Sequence, residues 1–144
     1  MTSQAQSTHD PLAIGTVITF SKTVGESDVY QFAGVSGDFS PNHVNHEYMS
    51  KGRYGQRIAH GALMVAYMST CSTKLIESAG NTPMVSYGYD HIRFTKPVFF
   101  GDTVTVEYKI AERDDAKGTL RSQITVTNQR SEVVAVAVHI LKAV

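Results

Sequence analysis

The segment that most constrains the fold is 61–78, where the apolar pattern is helical but covers more than one face. Its first charged residue is Lys74. A helix of about 18 residues is roughly 27 Å long, and one without a charged face must be buried on most sides. The run is also too short and too polar to span a membrane, which takes roughly 20 apolar residues. Another part of the chain is therefore predicted to wrap around this helix, and we expect no membrane partner.

The second half of the chain supplies this wrapper as four predicted strands. Apolar and polar residues alternate most clearly over 104–110 and 120–126, which is typical of strands with one buried face. Turn signals separate the strands. The predicted strands are 84–99, 103–113, 119–129 and 133–141, and a first strand covers 14–24. The sequence predicts an α+β fold in which about five antiparallel strands curl around one long central helix.

Shorter elements are predicted between the first strand and the long helix. Gly25 favours the start of a helix, and Gly37 favours its end. Pro41 biases the residue before it away from helical backbone, so 38–43 is predicted to be a loop. A short helix is expected over 46–51.

The composition is that of an ordinary globular domain rather than a nucleic-acid binder. The chain has 144 residues, with 13 basic and 13 acidic side chains and a formal net charge of +0. No basic stripe is present, so nucleic acid is not expected as a partner. We expect a single domain over 12–144, preceded by a flexible, polar N-terminal tail over 1–11.

The single cysteine, Cys71, bears on the compartment in which the protein works. One thiol excludes an internal disulfide framework, and its apolar neighbours favour a buried structural role over that of a nucleophile. The polar run 1–11 lacks the apolar core of a secretory signal. Both observations favour a reducing, cytoplasmic location.

Two short motifs carry the chemical information. The first run is Asp38-Phe39-Ser40-Pro41-Asn42-His43, which places a carboxylate and an imidazole close together. The second is Arg57-Ile58-Ala59-His60-Gly61-Ala62-Leu63, which opens the long helix. An acid, a base and a helix amino terminus are the parts that proton transfer beside a carbonyl requires. From spacing alone, Asp38 can equally cap a turn with His43 at the surface, and Gly61 can be a plain tight turn.

With these motifs the chain resembles the MaoC-like, R-specific enoyl-CoA hydratases of the hot-dog fold. The matches to the family pattern D-x-N-P-x-H are Asp38, Pro41 and His43, and the match to its I-A-H-G stretch is Ile58-Ala59-His60-Gly61. The run 89–98, with Gly101-Asp102-Thr103, resembles the strand and turn that follow the hot-dog helix. Ser40 stands for the usual asparagine and Asn42 for the usual aliphatic residue, which bears on substrate range more than on the basic chemistry.

The resemblance implies a hydro-lyase of fatty acid metabolism that adds water, syn, to a trans-2-enoyl-CoA to give an (R)-3-hydroxyacyl-CoA. Asp38 and His43 are then the acid–base pair that shares a water, and Gly61 N–H is the oxyanion donor. Which of the two takes the proton is left open. The candidate substrate-binding residues are Ser40, Asn42, His60 and Ala62, where His60 either positions the thioester or caps the helix.

Coenzyme A enters this reaction only as part of the substrate, and no cofactor is expected because hydration moves no electrons. No metal is expected either, since the histidines 43, 46 and 60 have no cysteine or further carboxylate at a standard ligand spacing. His91 and His139 are interpreted, with His46, as plain strand or helix-edge residues. The basic residues Lys51, Arg53 and Arg57 either meet the phosphates of coenzyme A or form a solvated face.

Two other functions remain open from the sequence. A hot-dog acyl-CoA thioesterase often carries a catalytic acid in its central helix, but 61–76 contains none. A non-catalytic acyl-thioester-binding module would be expected to lack the acid–base pair, which is present here. A homodimer is expected in any of these cases, because a lone curled sheet leaves strand edges that a second copy can cover.

Overall fold

The computed structural model describes residues 9–144, which form one sheet and the helices around it. In chain order the elements are β1 (Val17–Thr23), α1 (Glu26–Ser36), α2 (Pro41–Val44), α3 (His46–Ser50), α4 (Gly61–Ser78), β2 (Met84–Phe94), β3 (Thr103–Asp114), β4 (Thr119–Thr127) and β5 (Val133–Ala143). The long helix predicted over 61–78 is confirmed with the same bounds. All the predicted strands are present, with ends that differ by a few residues.

The strands form a single sheet in the order β1-β3-β4-β5-β2, and every pairing is antiparallel. Alternate residues of β3, β4 and β5 are buried, as the two-residue period of a strand requires. The long helix α4 lies against β1, β3 and β5, and it buries Met64, Met68 and Leu75 in the shared core. Full burial of such a side chain stabilises the fold by about 1.5–3 kcal/mol. The predicted sheet curled around a central helix is confirmed.

Cys71 lies in the middle of α4 and is a free, fully buried thiol. Burial raises the pKa of this thiol to about 11, so the sulfur carries its proton at neutral pH and is a poor nucleophile. The prediction of a structural cysteine is confirmed.

The helix α1 sets the position of the first motif. Its start is fixed by Gly25 N–H, which donates to Asp28 Oδ2 at 2.8 Å, and its end by Gly37, whose φ of 80° is left-handed. Glycine tolerates that backbone better than any residue with a Cβ. The predicted helix is confirmed, and the sharp exit at Gly37 places Asp38 directly beyond it.

The loop predicted over 38–43 is wrong in part, because it contains the one-turn helix α2. Pro41 is the first residue of α2. Proline suits this position, since the first N–H of a helix has no acceptor within the helix and the fixed φ of proline is already helical. The consequence is that His43 is held on a helical turn rather than on a mobile loop.

The strand predicted over 84–99 is too long, since β2 ends at Phe94. Pro97 has no N–H with which to continue the ladder, and Phe99 instead forms an isolated bridge with Ile58. The chain between Phe94 and Phe99 therefore turns towards the start of α4, where it forms one wall of the site described below.

Residues 1–8 of the tail expected over 1–11 lie outside the described residues. The boundary between tail and domain therefore stays a prediction. Within the described part, the Asp10 carboxylate accepts from Leu12 N–H at 2.9 Å and pairs with Arg113 at 2.7 Å. Over residues 9–144, none of the helices combines the length and apolar character needed to cross a membrane.

Candidate active site

A cavity of about 270 Å³ opens at the first turn of α4, and it brings the two sequence motifs together. His43 reaches it from α2, His60 and Gly61 from the start of α4, and Phe94 from the end of β2. Met64, one turn along α4, also lines it, so the space combines apolar walls with imidazole rings. This is the composition of a site for a small organic group next to proton-transfer chemistry.

His43 is buried, and a main-chain contact fixes which of its nitrogens carries the proton. Its Nδ1 lies 2.7 Å from the Ile58 carbonyl oxygen. Because a carbonyl only accepts, Nδ1 is the donor, and Nε2 of the neutral ring is left bare. The second motif therefore does more than open the helix, since its Ile58 prepares His43 to accept a proton at Nε2.

Asp38 lies beyond α1 with one carboxylate oxygen used and one available. Oδ1 accepts from Ser40 N–H at 3.1 Å, so this carboxylate does cap a turn. Oδ2 lies 3.9 Å from His43 Nε2, and the side chain is 52% exposed. That separation is too long for a direct hydrogen bond but suits a water that bonds both groups. Asp38 can thus cap a turn and still act with His43, because each role uses a different carboxylate oxygen.

His60 is almost completely buried, and its ring connects the other two groups. Its Nε2 donates to the Asp38 main-chain carbonyl at 2.9 Å. The ring stacks on His43 with centroids 3.7 Å apart, while its Nδ1 has no partner among the described residues. His60 occupies the position before α4, but its side chain makes no capping hydrogen bond. Its visible task is to hold the backbone of Asp38 against His43.

Gly61 begins α4, and two features show why this position suits glycine. A Cβ at Gly61 would lie 2.5 Å from the Phe94 ring, a distance that no side chain tolerates without movement. Backbone N–H groups in the first turn of a helix have no intrahelical acceptor, and the Gly61 N–H has no other main-chain acceptor among residues 9–144. The N–H of Gly61 is thus available to a ligand in the cavity that the residue lines.

The other candidate substrate-binding residues lie away from the cavity wall. Ser40 precedes α2, where its hydroxyl makes no capping hydrogen bond. The Asn42 carbonyl accepts from Ile58 N–H at 3.0 Å, and Asn42 lines a neighbouring groove instead of the cavity. The side chain of Ala62 is exposed. Of that set, only His60 lines the cavity.

Two groups that shape the site, the Phe94 ring and the Ile58 carbonyl, are not indicated by the sequence. The sequence predicts Phe94 inside the strand over 84–99, and no local pattern indicates that its ring covers Gly61. Ile58 belongs to the second motif, but a main-chain acceptor cannot be recognised from the type of side chain. Both contacts depend on how distant segments meet.

The ligand atoms of Asp38, His43 and His60 lie within 4.8 Å of one another, which raises the question of a metal ion. His60 Nε2 donates to the Asp38 carbonyl and so has no lone pair for an ion. One Asp38 oxygen and His43 Nε2 remain, whereas zinc sites use about three or four protein ligands. These residues fit an acid–base arrangement better than a metal centre.

Comparison with known protein sequences gives a consistent family. The profile described as MaoC like domain matches residues 8–134. An (R)-specific enoyl-CoA hydratase from Rhodospirillum rubrum is 37% identical over 91 residues, which are 63% of this chain and 60% of that protein. A 3-hydroxybutyryl-CoA dehydratase from Methylorubrum extorquens is 29% identical over 72% of this chain and 63% of that protein. The chain thus spans less than two thirds of the length of these relatives.

Solved structures agree with the sequence match. R-Hydratase PhaJ1 from Pseudomonas aeruginosa, in its unliganded form, has a TM-score of 0.80 and 30% identity, over 92% of this chain and 82% of that one. The (R)-hydratase from A. caviae involved in PHA biosynthesis has a TM-score of 0.81 and 26% identity, over 97% of this chain and 100% of that one. The expected hot-dog fold is confirmed. Taken with the profile match over most of its length, this places the chain in the MaoC-like domain family.

Proposed function

We propose that this protein is a hydro-lyase that adds water, syn, to a trans-2-enoyl-CoA to give an (R)-3-hydroxyacyl-CoA, and that it catalyses the reverse dehydration. The observation that carries the proposal is the placement of Asp38 Oδ2 3.9 Å from the bare Nε2 of His43. The names of the relatives support the substrate class and the stereochemistry.

The pair acts on one water. His43 removes the proton of the attacking water through Nε2, because the Nδ1–H bond to Ile58 leaves only that nitrogen bare. Asp38 accepts the second hydrogen bond of the water and aims its oxygen at Cβ of the substrate. The proton taken by His43 then passes to Cα. Oxygen and proton arrive from the same side of the double bond, and the addition is syn.

The negative charge that develops on the thioester oxygen needs a donor at the other end of the reacting group. Gly61 N–H is the group proposed for it, because it lies at the positive end of the α4 dipole and lacks an acceptor in the described chain. One such donor typically contributes about 10²–10³ in rate. The apolar wall at Met64 and Val98 keeps water away from the rest of the acyl group.

The direct test is hydration of crotonyl-CoA, followed by loss of the enoyl-thioester absorbance. The expected product is (R)-3-hydroxybutyryl-CoA, identified by chiral analysis after hydrolysis. Release of free coenzyme A, measured with a thiol reagent, would indicate the thioesterase alternative. An S product would contradict the proposed geometry even if the absorbance falls.

A homodimer is part of the same proposal. Among residues 9–144, β2 pairs only with β5, so its other edge is open in the described part of the chain. Its exposed side chains include Tyr87 and Phe94, and the cavity wall formed by residues 94–98 follows directly. A second copy paired along β2 would cover this edge and close the side of the cavity.

Light scattering tests the dimer at micromolar concentration. A fully active monomer of 15.7 kDa would overturn this part of the proposal. Cytoplasmic location is also proposed, since the buried, reduced Cys71 needs no oxidising compartment.

A further inference from the structure

A second depression, named here the α3 groove, lies beside the reaction cavity. Its volume is about 720 Å³, and its lining includes Asn42, Tyr48, Lys51, Arg53, Tyr54 and Ile58. Tyr54 and Ile58 line the reaction cavity as well, so the two spaces adjoin at these residues. Ile58 is also the residue whose carbonyl holds His43. A ligand that reacts at His43 and extends past Ile58 therefore enters the α3 groove.

Two tyrosine rings and one arginine are the side chains of the groove that are suited to bind a base and a phosphate. Tyr48 is 58% exposed and Tyr54 40% exposed, and an exposed ring face is a platform on which a base can stack. The Arg53 guanidinium lies 5.9 Å from the centroid of the Tyr54 ring. A guanidinium beside an aromatic ring is the combination that binds a phosphate next to a stacked base.

The other cations near the site already have partners. Arg57 bonds Glu26 at 3.1 Å and the Tyr30 hydroxyl at 2.9 Å, and its side chain is only 16% exposed. Lys51 pairs with Glu47 at 2.6 Å, a weak pair because both side chains are exposed, and Glu47 also lines the groove. Arg53 has no carboxylate partner in the part of the chain that the structure describes. Arg53 is thus the cation of the groove without a carboxylate partner among the described residues.

We propose that the α3 groove binds the nucleotide end of the substrate's coenzyme A, with Arg53 on a phosphate and Tyr48 or Tyr54 against the adenine. This inference rests on the proposed function, because it assumes that the thioester reacts between His43 and Gly61. The pantetheine arm then runs past Tyr54 and Ile58 and joins the two sites. A carrier protein presents the same thioester without a nucleotide, so it would offer neither an adenine to the tyrosines nor the nucleotide phosphates to Arg53.

Substrates with and without the nucleotide provide the test. The ratio kcat/KM is measured for crotonyl-CoA and for crotonyl-pantetheine with the wild type, Arg53→Ala and Lys109→Ala. Lys109 is an exposed cation on β3, so its variant matches the loss of charge away from the groove. We expect Arg53→Ala to lower kcat/KM about tenfold for crotonyl-CoA, which corresponds to about 1.4 kcal/mol. Crotonyl-pantetheine should change less than about twofold with either variant.

The outcomes separate this inference from the proposed function. Equal losses with both substrates would overturn the nucleotide site, because Arg53 would then act on the fold or on the reaction itself. Equal kcat/KM for crotonyl-CoA and crotonyl-pantetheine in the wild type would overturn it too, as would a preference for a crotonyl carrier protein. If the wild type hydrates neither thioester, the proposed function fails instead.

A binding measurement keeps the groove testable in that last case. Adenosine 3′,5′-bisphosphate carries the adenine and two phosphates of coenzyme A without the thioester. Calorimetry should detect its binding to the wild type and a loss of about tenfold in affinity with Arg53→Ala. Absence of binding at millimolar concentration, or equal binding by Arg53→Ala, would overturn the inference.

Discussion

The protein buries two histidine clusters, and they differ in what the ring nitrogens do. His139 lies in β5 with no exposed surface. The Ser86 hydroxyl lies 2.7 Å from its Nε2, and the Tyr108 hydroxyl lies 2.7 Å from its Nδ1. Because a hydroxyl either donates or accepts, both nitrogens are satisfied at once. Tyr89 stacks on the ring with a centroid distance of 4.2 Å, so both nitrogens and one face of the His139 ring are occupied and the cluster is closed.

The cluster at the start of α4 is built from a similar stack but is left incomplete. The rings of His43 and His60 are 3.7 Å apart. Each uses one nitrogen on a main-chain carbonyl, and each has a second nitrogen without a hydrogen-bond partner among residues 9–144. A buried polar atom without a partner is costly, and His43 lines the cavity, where a ligand can supply the bond that its Nε2 lacks. Burial is therefore common to both clusters, and His43 differs from His139 in having a bare Nε2 that lies 3.9 Å from the Asp38 carboxylate.

The largest expected effect on activity comes from removing His43 Nε2, the nitrogen without a partner, or the Asp38 carboxylate beside it. His43→Ala or Asp38→Asn should lower kcat by at least about 10²-fold, in line with lost acid–base catalysis. Asparagine keeps an oxygen for the Ser40 N–H, so the turn should survive in Asp38→Asn. Steady-state kinetics on crotonyl-CoA and circular dichroism check both points.

The double variant sharpens this prediction, because the two groups act on one water. Its loss should be smaller than the product of the single losses. His46→Ala, which removes an exposed histidine from α3, is the matched control. Turnover near that of the wild type in either single variant would contradict the assignment.

The next effect concerns Gly61, where the structure offers two reasons for lost activity. Gly61→Val should lower kcat by about 10²-fold if the branched side chain blocks the oxyanion position. The same side chain also collides with Phe94, since even its Cβ would lie 2.5 Å from that ring. Comparing Gly61→Val with the double variant Gly61→Val/Phe94→Ala distinguishes the two causes, with Phe94→Ala alone as reference.

Removal of the Phe94 ring should relieve the collision and restore stability, as measured by urea unfolding, while activity stays low. Recovery of kcat in the double variant would mean that Gly61 serves only the packing of Phe94. The hydratase proposal would then need another donor for the thioester oxygen.

A smaller effect is expected at His60, whose proposed task is to position Asp38. His60→Phe keeps a ring against His43 but removes the donor to the Asp38 carbonyl, which lies 2.9 Å from Nε2. The loss of one such bond is worth about 1 kcal/mol, so kcat should fall roughly fivefold to tenfold with KM unchanged. His60→Gln carries an N–H of similar reach and should recover most of this loss. Equal losses in both variants would show that the donor is not what matters.

The sequence was sufficient for the parts of the molecule that a local pattern determines. The bounds of α4 follow from an apolar run that begins at Gly61, and the buried faces of β3 and β4 follow from alternation. The closeness of Asp38 and His43 follows from their separation by a few residues. These predictions depend on neighbours along the chain, and the structure confirms them.

The rest could not be predicted, because it depends on contacts between distant segments. The tautomer of His43 is set by the Ile58 carbonyl, which is 15 residues away. The closed cluster around His139 joins β2, β3 and β5, so this residue lies in the central core rather than at an edge. Its burial does follow from the alternation in β5, but the hydroxyls that complete its hydrogen bonds do not.

The smallest effect on activity is expected for His139, where the closed cluster should affect stability instead. Burial lowers the pKa of His139 from 6.5 to about 4, because a charged ring cannot be hydrated there. Between these two values the unfolded chain binds a proton that the folded chain does not. Stability should therefore be full above about pH 6.5 and fall by up to about 3 kcal/mol as the pH drops to about 4, with no further loss from this group below that.

His139→Gln removes this titration and thereby separates the two clusters. The variant should be less stable than the wild type near neutral pH by about 1–3 kcal/mol, because the Ser86 and Tyr108 hydroxyls lose a matched partner. Its stability should then change less between about pH 6.5 and 4. Urea unfolding at one fixed protein concentration measures both, with His46→Gln as the exposed control. Activity at neutral pH should stay within about twofold, since no nitrogen of His139 is open to a substrate. If His139→Gln instead lost activity as His43→Ala is expected to, satisfied ring nitrogens would no longer identify a structural histidine, and the contrast between the clusters would fail.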